Sequence, residues 1–206
     1  MLNDSKTHTM KGDMMHRWKV TSAPKILSRT PIFVLEQSAK KRAGSQNIKA
    51  YVKIRSAPWV NVIAVTPDQS IVLVRQFRHG IEKVTVEIPA GLVRKRESSQ
   101  MAAIRELREE TGYVGDRAQL LGRWFPNPAL QDNLCSTWLI RNARKIADPT
   151  PDDDEVIEIL TVPICDISKL ISSGKINHGL CLTAFLLLLL HRNKLSRKQR
   201  APMRCK

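Results

Sequence analysis

One stretch of the chain, residues 91–113, constrains the fold more than any other. It reads GLVRKRESSQMAAIRELREETGY. Serine is a favoured helix N-cap residue and glycine a common helix stop, so Ser98 and Gly112 bound a candidate helix. The alanines between them also favour helix. The sequence therefore predicts a helix from Ser98 to Thr111.

Two neighbouring arcs of this predicted helix differ in character. At about 100° per residue, three apolar side chains share an arc that we expect to face a core: Ala103, Ile104 and Leu107. The next arc holds three carboxylates, with the small Ala102 among them: Glu106, Glu109 and Glu110. Like charges four residues apart cost an isolated helix roughly 0.2–0.5 kcal/mol. A divalent cation bound by these oxygens would offset that cost. A solvated surface face is the alternative, and charge spacing alone leaves both open.

The complete spacing of this stretch is similar to the Nudix box, the signature of hydrolases that cleave nucleoside diphosphates linked to another moiety. The matching positions are Gly91, Glu97, Arg105, Glu106, Glu109, Glu110 and Gly112, with Leu107 and Tyr113 at the two apolar places. The resemblance implies a Nudix α/β/α sandwich with a mixed sheet, and dependence on Mg²⁺, with Mn²⁺ as an alternative. One departure is Arg-Lys-Arg at residues 94–96, where relatives commonly carry acidic residues or glycine. This makes the loop basic.

The same resemblance implies roles for the residues of the box. The implied metal ligands are Glu106, Glu110, the nearby Glu109 and the backbone carbonyl of Ala90. Arg105 and Glu109 are also catalytic candidates. The residues that brace the box or shape its backbone are Gly91, Glu97, Arg105 and Gly112.

Three features outside the box resemble the ADP-ribose pyrophosphatase subgroup and imply substrate contacts. Residues 74–78, Val-Arg-Gln-Phe-Arg, resemble a strand in which Gln-x-Arg lines the nucleotide pocket. Arg78 would then bind phosphate or the terminal ribose, since its fork grips phosphate oxygens in two places. Glu87 begins an E-I-P-A-G segment in which the glutamate approaches the substrate or the metal cluster. Pro128, sixteen residues beyond Gly112, lies at the offset typical of this subgroup. An exposed arginine and an ordinary turn proline are the alternatives for Arg78 and Pro128.

The acidic run at residues 152–155 supplies the candidate general base. In the resembled family the loop after the box provides the carboxylate that activates water, and the match with the family pattern points to Glu155. Asp154 and Glu158 are weaker candidates. A merely solvated acidic loop is the alternative interpretation.

The remaining sequence predicts four segments. Residues 1–16 are expected to be a flexible N-terminus and residues 17–57 a small β-rich domain for dimerisation and substrate binding. Residues 58–191 would form the hydrolase domain, followed by a basic tail at 192–206. The predicted strands are Pro31–Glu36, Ala50–Ile54, Trp59–Thr66, Ile71–Gln76, Val84–Ile88, Leu120–Phe125, Thr137–Ile140 and Val156–Val162. We expect the third and fourth to form a hairpin around Pro67-Asp68-Gln69-Ser70. The closing helices are predicted at Asp166–Ser172 and Leu180–His191.

Composition bounds the partners and the location. A net charge of +15 favours anionic partners, and residues 191–206 contain seven lysines or arginines and no acid. Leu180–Leu190 is apolar but has half the length of a membrane span, so we expect a buried helix and no span. The four cysteines lack CxxC spacing, which indicates core or free thiols in a reducing, cytoplasmic compartment. The five histidines show no ligand spacing.

The favoured hypothesis is therefore Mg²⁺-dependent hydrolysis of the pyrophosphate bond of a nucleoside diphosphate sugar, with ADP-ribose as the favoured substrate. The products would be a nucleoside monophosphate and a sugar phosphate, and the enzyme would be a homodimer. Another sugar nucleotide such as GDP-mannose is the alternative substrate. An RNA-binding or RNA-processing protein is the alternative class. It is disfavoured because the chain has only ten aromatic residues and no basic strand interleaved with them.

Overall fold

The computed structural model describes residues 18–151 and 156–200, with residues 195–200 as backbone only. The described chain divides into two compact units. The first contains residues up to Ser56 together with Asn127–Asp132, and the second contains Ala57–Pro126 and the residues from Asn133 onward. Residues 127–132 belong to the first unit although they are far from it in the sequence, and the sequence analysis did not predict this.

The first unit is a four-stranded antiparallel sheet: β1 (Trp18–Val20), β2 (Lys25–Arg29), β3 (Phe33–Arg42) and β4 (Ile48–Ser56). The long strand β3 pairs with each of the other three. Sequence patterning predicted parts of β3 and β4 and missed β1 and β2. Both missed strands are exposed along their whole length, so no burial-driven alternation marks them.

The second unit holds the remaining elements. They are β5 (Trp59–Ala64), β6 (Ser70–Arg78), β7 (Lys83–Glu87), β8 (Ala90–Leu92), α1 (Ser99–Thr111), β9 (Tyr113–Val114), β10 (Gln119–Trp124), β11 (Cys135–Ile140), β12 (Arg144–Lys145), β13 (Ile157–Pro163), α2 (Ile167–Ser172) and α3 (Gly179–Arg200). Strand order is β10-β11-β5-β8 in one sheet and β13-β6-β7 in another, while β9 and β12 form a short ribbon. The pairing of β11 with β5 is parallel and the other pairings are antiparallel, which gives a mixed fold.

The predicted hairpin of β5 and β6 is wrong, although its turn is present. Thr66 N donates to Ser70 O at 2.9 Å, and a single bridge joins Val65 to Ile71. Beyond that bridge the strands separate into different sheets, with β5 between β11 and β8 and β6 between β13 and β7. β5 and the first five residues of β6 are almost completely buried, so their apolar runs do not specify a partner.

Alternation along the buried strands places helices on both sides of the sheets. On β5, Val60, Val62 and Ala64 join Ala103 and Leu107 of α1 in one core cluster. Ile63 of β5 packs in the other cluster, whose members from α3 are Cys181, Ala184, Phe185 and Leu188. Because successive strand side chains point to opposite faces, this division produces the predicted α/β/α sandwich.

The closing helix α3 is longer than predicted. It begins at Gly179 and continues to Arg200, inside the segment that sequence patterning assigned to a basic tail. Only one side of its leucine run is buried. Leu186, Leu189 and Leu190 remain about half exposed. Within the described residues, no helix combines the length and hydrophobicity needed to cross a bilayer.

Candidate active site

Helix α1 has the ends that its sequence predicts. The Ser98 hydroxyl accepts a hydrogen bond from Met101 N at 3.2 Å, and Gly112 has the left-handed φ of 71°. A Cβ on Gly112 would also overlap the carbonyl of Ala147. Both ends of the helix are therefore set by local capping.

Arg105 is the centre of the box. Its Nε donates to Glu97 Oε1 at 2.8 Å, and its Nη2 donates to Glu97 Oε2 at 2.9 Å and to the Leu92 carbonyl at 3.0 Å. Its Nη1 donates at 2.8 Å to both Glu106 Oε1 and Glu109 Oε2. These hydrogen bonds, led by those from Glu97, raise the pKa of Arg105 above its ordinary value. The arginine fixes the loop carboxylate and two of the helix carboxylates at once.

Two opposing effects act on the pKa of Glu106 in this network. Burial raises the pKa of Glu106 above its ordinary value, even though the hydrogen bond from Arg105 acts in the opposite direction. Burial is therefore the dominant influence on Glu106, and a bound cation would favour its charged form. By contrast, the hydrogen bond from Arg105 lowers the pKa of Glu97.

Glu110 contacts the backbone of Ala90, the residue whose carbonyl is the other implied ligand. The Glu110 side chain is buried, and its Oε2 accepts from Ala90 N at 3.3 Å. Ala90 itself pairs with Asn61 across β8 and β5. Next to it, a Cβ on Gly91 would lie 2.6 Å from Glu106 Oε2 and closer still to Oε1. The backbone at residues 90–91 therefore runs directly against two of the predicted ligands.

Glu109 is held differently. Its Oε2 accepts from Arg105 and also from Arg94 Nη2 at 3.3 Å. Arg94 belongs to the Arg-Lys-Arg segment at residues 94–96, so this basic loop contacts the helix of the box. Among the described residues, the three helix glutamates do not bring one oxygen each within 4.8 Å of one another. The structure thus associates Glu106 with Gly91, Glu110 with Ala90, and Glu109 with two arginines.

This set of groups fits a hard divalent cation. The carboxylates of Glu106 and Glu110 are half-buried or buried, they offer only oxygen atoms, and Glu110 contacts the backbone of Ala90, whose carbonyl is the other implied ligand. A cation such as Mg²⁺ binds through one or two carboxylates and keeps several waters, so three converged side chains are not needed.

Arg78 and Glu87 form a bidentate ion pair. Arg78 Nε lies 2.7 Å from Glu87 Oε1, and Arg78 Nη2 lies 2.7 Å from Oε2. The Glu87 side chain is fully buried, whereas that of Arg78 is 39% exposed. Burial opposes the charged form of Glu87, but hydrogen bonds from Arg78, His178 and Thr85 outweigh it and hold its pKa far below the ordinary value. Glu87 therefore orients Arg78 and leaves part of the guanidinium open to solvent.

The remaining predicted site residues are Pro128, Glu158, Glu155 and Asp154. Pro128 is exposed in a turn of the first unit. Glu158 is exposed on β13 and pairs with Arg75 across the strands at 2.8 Å, which is the arrangement of a surface ion pair. Glu155 and Asp154 lie outside the described residues.

Two side chains next to Arg78 and Glu87 were assigned no role by sequence reasoning. Gln76 is buried on the same strand face as Arg78, and its Nε2 has no hydrogen-bond partner in the described part of the chain. His178 Nδ1 lies 3.0 Å from Glu87 Oε2. The Gln-x-Arg pattern contained a signal for Gln76, whereas nothing in the sequence connects His178 with Glu87.

The fold and the box together define a class: an α/β/α sandwich whose central helix presents a glutamate cluster to a preceding glycine loop. Comparison with known proteins agrees with this class. The NUDIX domain family matches residues 56–179. The chain therefore belongs to the Nudix family, whose members generally use divalent metal ions.

Individual relatives within this family are similar to the chain. The ADP-ribose pyrophosphatase of Bacillus subtilis (strain 168) is 34% identical over 118 residues, which cover 57% of this chain and 64% of that protein. The ADP-sugar pyrophosphatase of Mus musculus is 33% identical over 126 residues, covering 56% and 57%. The chain thus matches less than two thirds of the length of either relative. The crystal structure of an ADP compounds hydrolase superimposes with a TM-score of 0.76 at 19% identity, covering 90% of this chain and 97% of that one, which shows the shared fold.

Proposed function

We propose that this protein hydrolyses the pyrophosphate bond of a nucleoside diphosphate sugar in a Mg²⁺-dependent reaction, with ADP-ribose as the favoured substrate. The products are a nucleoside monophosphate and a sugar phosphate. The observation that carries the proposal is the approach of the residue 90–91 backbone to the carboxylates of Glu106 and Glu110. The names of the Bacillus and mouse relatives support the substrate class.

Within this proposal, Glu106, Glu110 and the backbone of Ala90 hold the cation, with Glu109 beside them. When bound, Mg²⁺ neutralises pyrophosphate charge and lowers the pKa of water. Arg105 keeps Glu97, Glu106 and Glu109 in fixed positions, because each of them accepts a hydrogen bond from its guanidinium.

The remaining roles belong to binding and proton transfer. Arg78 binds substrate phosphate or the terminal ribose through the part of its guanidinium that faces solvent, while Glu87 holds its orientation. Pro128 contributes to substrate binding. Glu155 takes the proton from the attacking water, a role for which a carboxylate within hydrogen-bond reach is suited.

A substrate panel tests the proposal. Purified protein with Mg²⁺ is offered ADP-ribose, GDP-mannose, other sugar nucleotides, dinucleoside polyphosphates and capped RNA, and the products are identified by mass. Preferential release of AMP and ribose 5-phosphate from ADP-ribose supports it. Preferential cleavage of GDP-mannose would move the specificity to the alternative substrate. Turnover confined to capped RNA, together with a salt-dependent gel shift, would favour the RNA-processing class.

We also propose a homodimer in a reducing, cytoplasmic compartment, in which the N-terminal β unit contributes to the partner's pocket. The first unit supports this because several of its large apolar side chains are exposed, among them Trp18, Val20, Ile26 and Ile48. A sheet of this size has little core of its own. Sedimentation that detects an active monomer at assay concentration would contradict the dimer.

A further inference from the structure

A second group of metal-ligating side chains lies outside the Nudix box, around Glu87. In the described part of the chain, Glu87, His178 and Cys181 are the one set of three such residues whose ligand atoms all lie within 4.8 Å of one another. Glu87 comes from the end of β7, His178 directly precedes α3, and Cys181 lies in the first turn of that helix. We propose that these three side chains form a binding site for Zn²⁺ or a similar borderline-soft divalent cation, separate from the box.

The spacing of the ligand atoms supports the proposal. His178 Nδ1 lies 3.0 Å from Glu87 Oε2 and 3.8 Å from Cys181 Sγ. Tetrahedral Zn²⁺ bonds of about 2.0–2.3 Å place an oxygen and a nitrogen ligand about 3.3 Å apart, and a nitrogen and a sulfur ligand about 3.6 Å apart. The observed nitrogen–oxygen distance is shorter than its ideal value, and the observed nitrogen–sulfur distance is longer, each by about 0.2–0.3 Å, so a cation needs only small side-chain movements.

The ligand chemistry decides which cation binds. Nitrogen, oxygen and thiolate sulfur together suit Zn²⁺ or Co²⁺, whereas Mg²⁺ takes oxygen ligands. The all-oxygen box and this mixed site therefore have different preferences. Three protein ligands also leave a fourth position for water, as in open zinc sites.

A cation must reach the site from solvent, and the Cys181 thiol must lose its proton when the cation binds. Glu87 and Cys181 are buried, but the His178 side chain is one-third exposed, so His178 provides a route from solvent. A cation binds Cys181 through the thiolate, so binding releases the thiol proton to solvent. The first turn of α3 favours the resulting thiolate through its helix dipole.

The site shares a carboxylate with Arg78. Glu87 Oε2 accepts from Arg78 Nη2 and lies next to His178, while Oε1 accepts from Arg78 Nε and from Thr85. A cation at Oε2 replaces the hydrogen bond from His178, competes with the one from Arg78 Nη2, and leaves the Nε contact of Arg78 with Oε1 in place. Cation binding is thus linked to the orientation of Arg78. The binding claim itself does not depend on the proposed function.

Cobalt spectroscopy tests the site directly. The full chain, freed of metal with a chelator and held in excess Mg²⁺, is titrated with Co²⁺, and Zn²⁺ stoichiometry is measured by equilibrium dialysis. We expect one equivalent with a thiolate-to-cobalt charge-transfer band. Cys181→Ser should abolish the band, and His178→Gln should weaken binding by at least about tenfold, the loss typical of removing even an outer partner of a metal.

Matched controls separate this site from other thiols and from the box. Cys165→Ser and Cys205→Ser should keep the band, since Cys165 is exposed and belongs to no ligand set among the described residues. Glu106→Gln with Glu110→Gln should also keep it. Wild-type protein without a thiolate band, or a band unchanged in Cys181→Ser, would overturn the proposal. If Cys181→Ser fails to fold by circular dichroism, His178→Gln decides, because the His178 side chain is one-third exposed, and unaltered cobalt affinity in that variant rejects the site.

Discussion

The carboxylate of Glu106 occupies the space that a side chain at Gly91 would take. A Cβ built on Gly91 would lie 2.6 Å from Glu106 Oε2, and closer to the rest of the carboxylate. The glycine at this position is therefore required by close approach, and its φ is not in the left-handed region. The loop at Gly91 and helix α1 therefore pack closely together at the point where the cation is proposed to bind.

This contact predicts the effect of Gly91→Ala. The methyl group must displace the Glu106 carboxylate, so we expect a large loss of kcat and weaker Mg²⁺ binding, with the fold retained. The measurement is the Mg²⁺ dependence of turnover. Gly80→Ala is the matched control, because a Cβ there meets nothing within 4 Å. Normal Mg²⁺ dependence in Gly91→Ala would show that the position of Glu106 is unimportant.

Glu106→Gln and Glu110→Gln should each remove most of the turnover while leaving circular dichroism unchanged, since each deletes a charge that holds the cation. Binding of Mn²⁺, followed by its paramagnetic signal, should weaken in parallel. Glu158→Gln is the control, because Glu158 is exposed and paired with Arg75. Near-normal rates at limiting Mg²⁺ in either box variant would remove that residue from the ligand set.

Arg105→Lys should destabilise the box although the charge is conserved. A lysine cannot reproduce the fork that reaches Glu97, Glu106, Glu109 and the Leu92 carbonyl. Losing charge-assisted hydrogen bonds of this kind costs about 1.5–3 kcal/mol in the free energy of unfolding. Denaturant unfolding measures it. Arg108→Lys, exposed on the same helix, should change little. Equal losses in the two variants would mean that Arg105 acts only as a surface charge.

Glu155→Gln should lower kcat far more than it weakens substrate or metal binding, because a general base acts in the transition state. The expected loss is about 10²–10⁴-fold. The experiment changes Asp152, Asp153, Asp154 and Glu155 separately to their amides and assays each at saturating Mg²⁺. A dominant loss at Asp154, or four similar losses that fade with salt, would reject Glu155 as the base.

Local signals account for what could be predicted. The serine cap, the glycine stop and the arc of glutamates all act within one helix, and α1 forms where they indicate. The resemblance carried by the box likewise anticipated the α/β/α sandwich, because that spacing belongs to a loop and helix that are contiguous in sequence. Most strands of the second unit were also found, at slightly different bounds.

Contacts between distant segments decided the rest. β5 and β6 adjoin in sequence yet enter different sheets, because strands buried on both faces carry no pattern that selects a partner. Glu87 precedes His178 and Cys181 by more than ninety residues, and only the packing of α3 against the sheets brings the three together. Capping and helical periodicity are properties of a few neighbouring residues and can be recognised in a sequence. Strand pairing and ligand convergence depend on which buried surfaces meet, and the tertiary structure alone determines that.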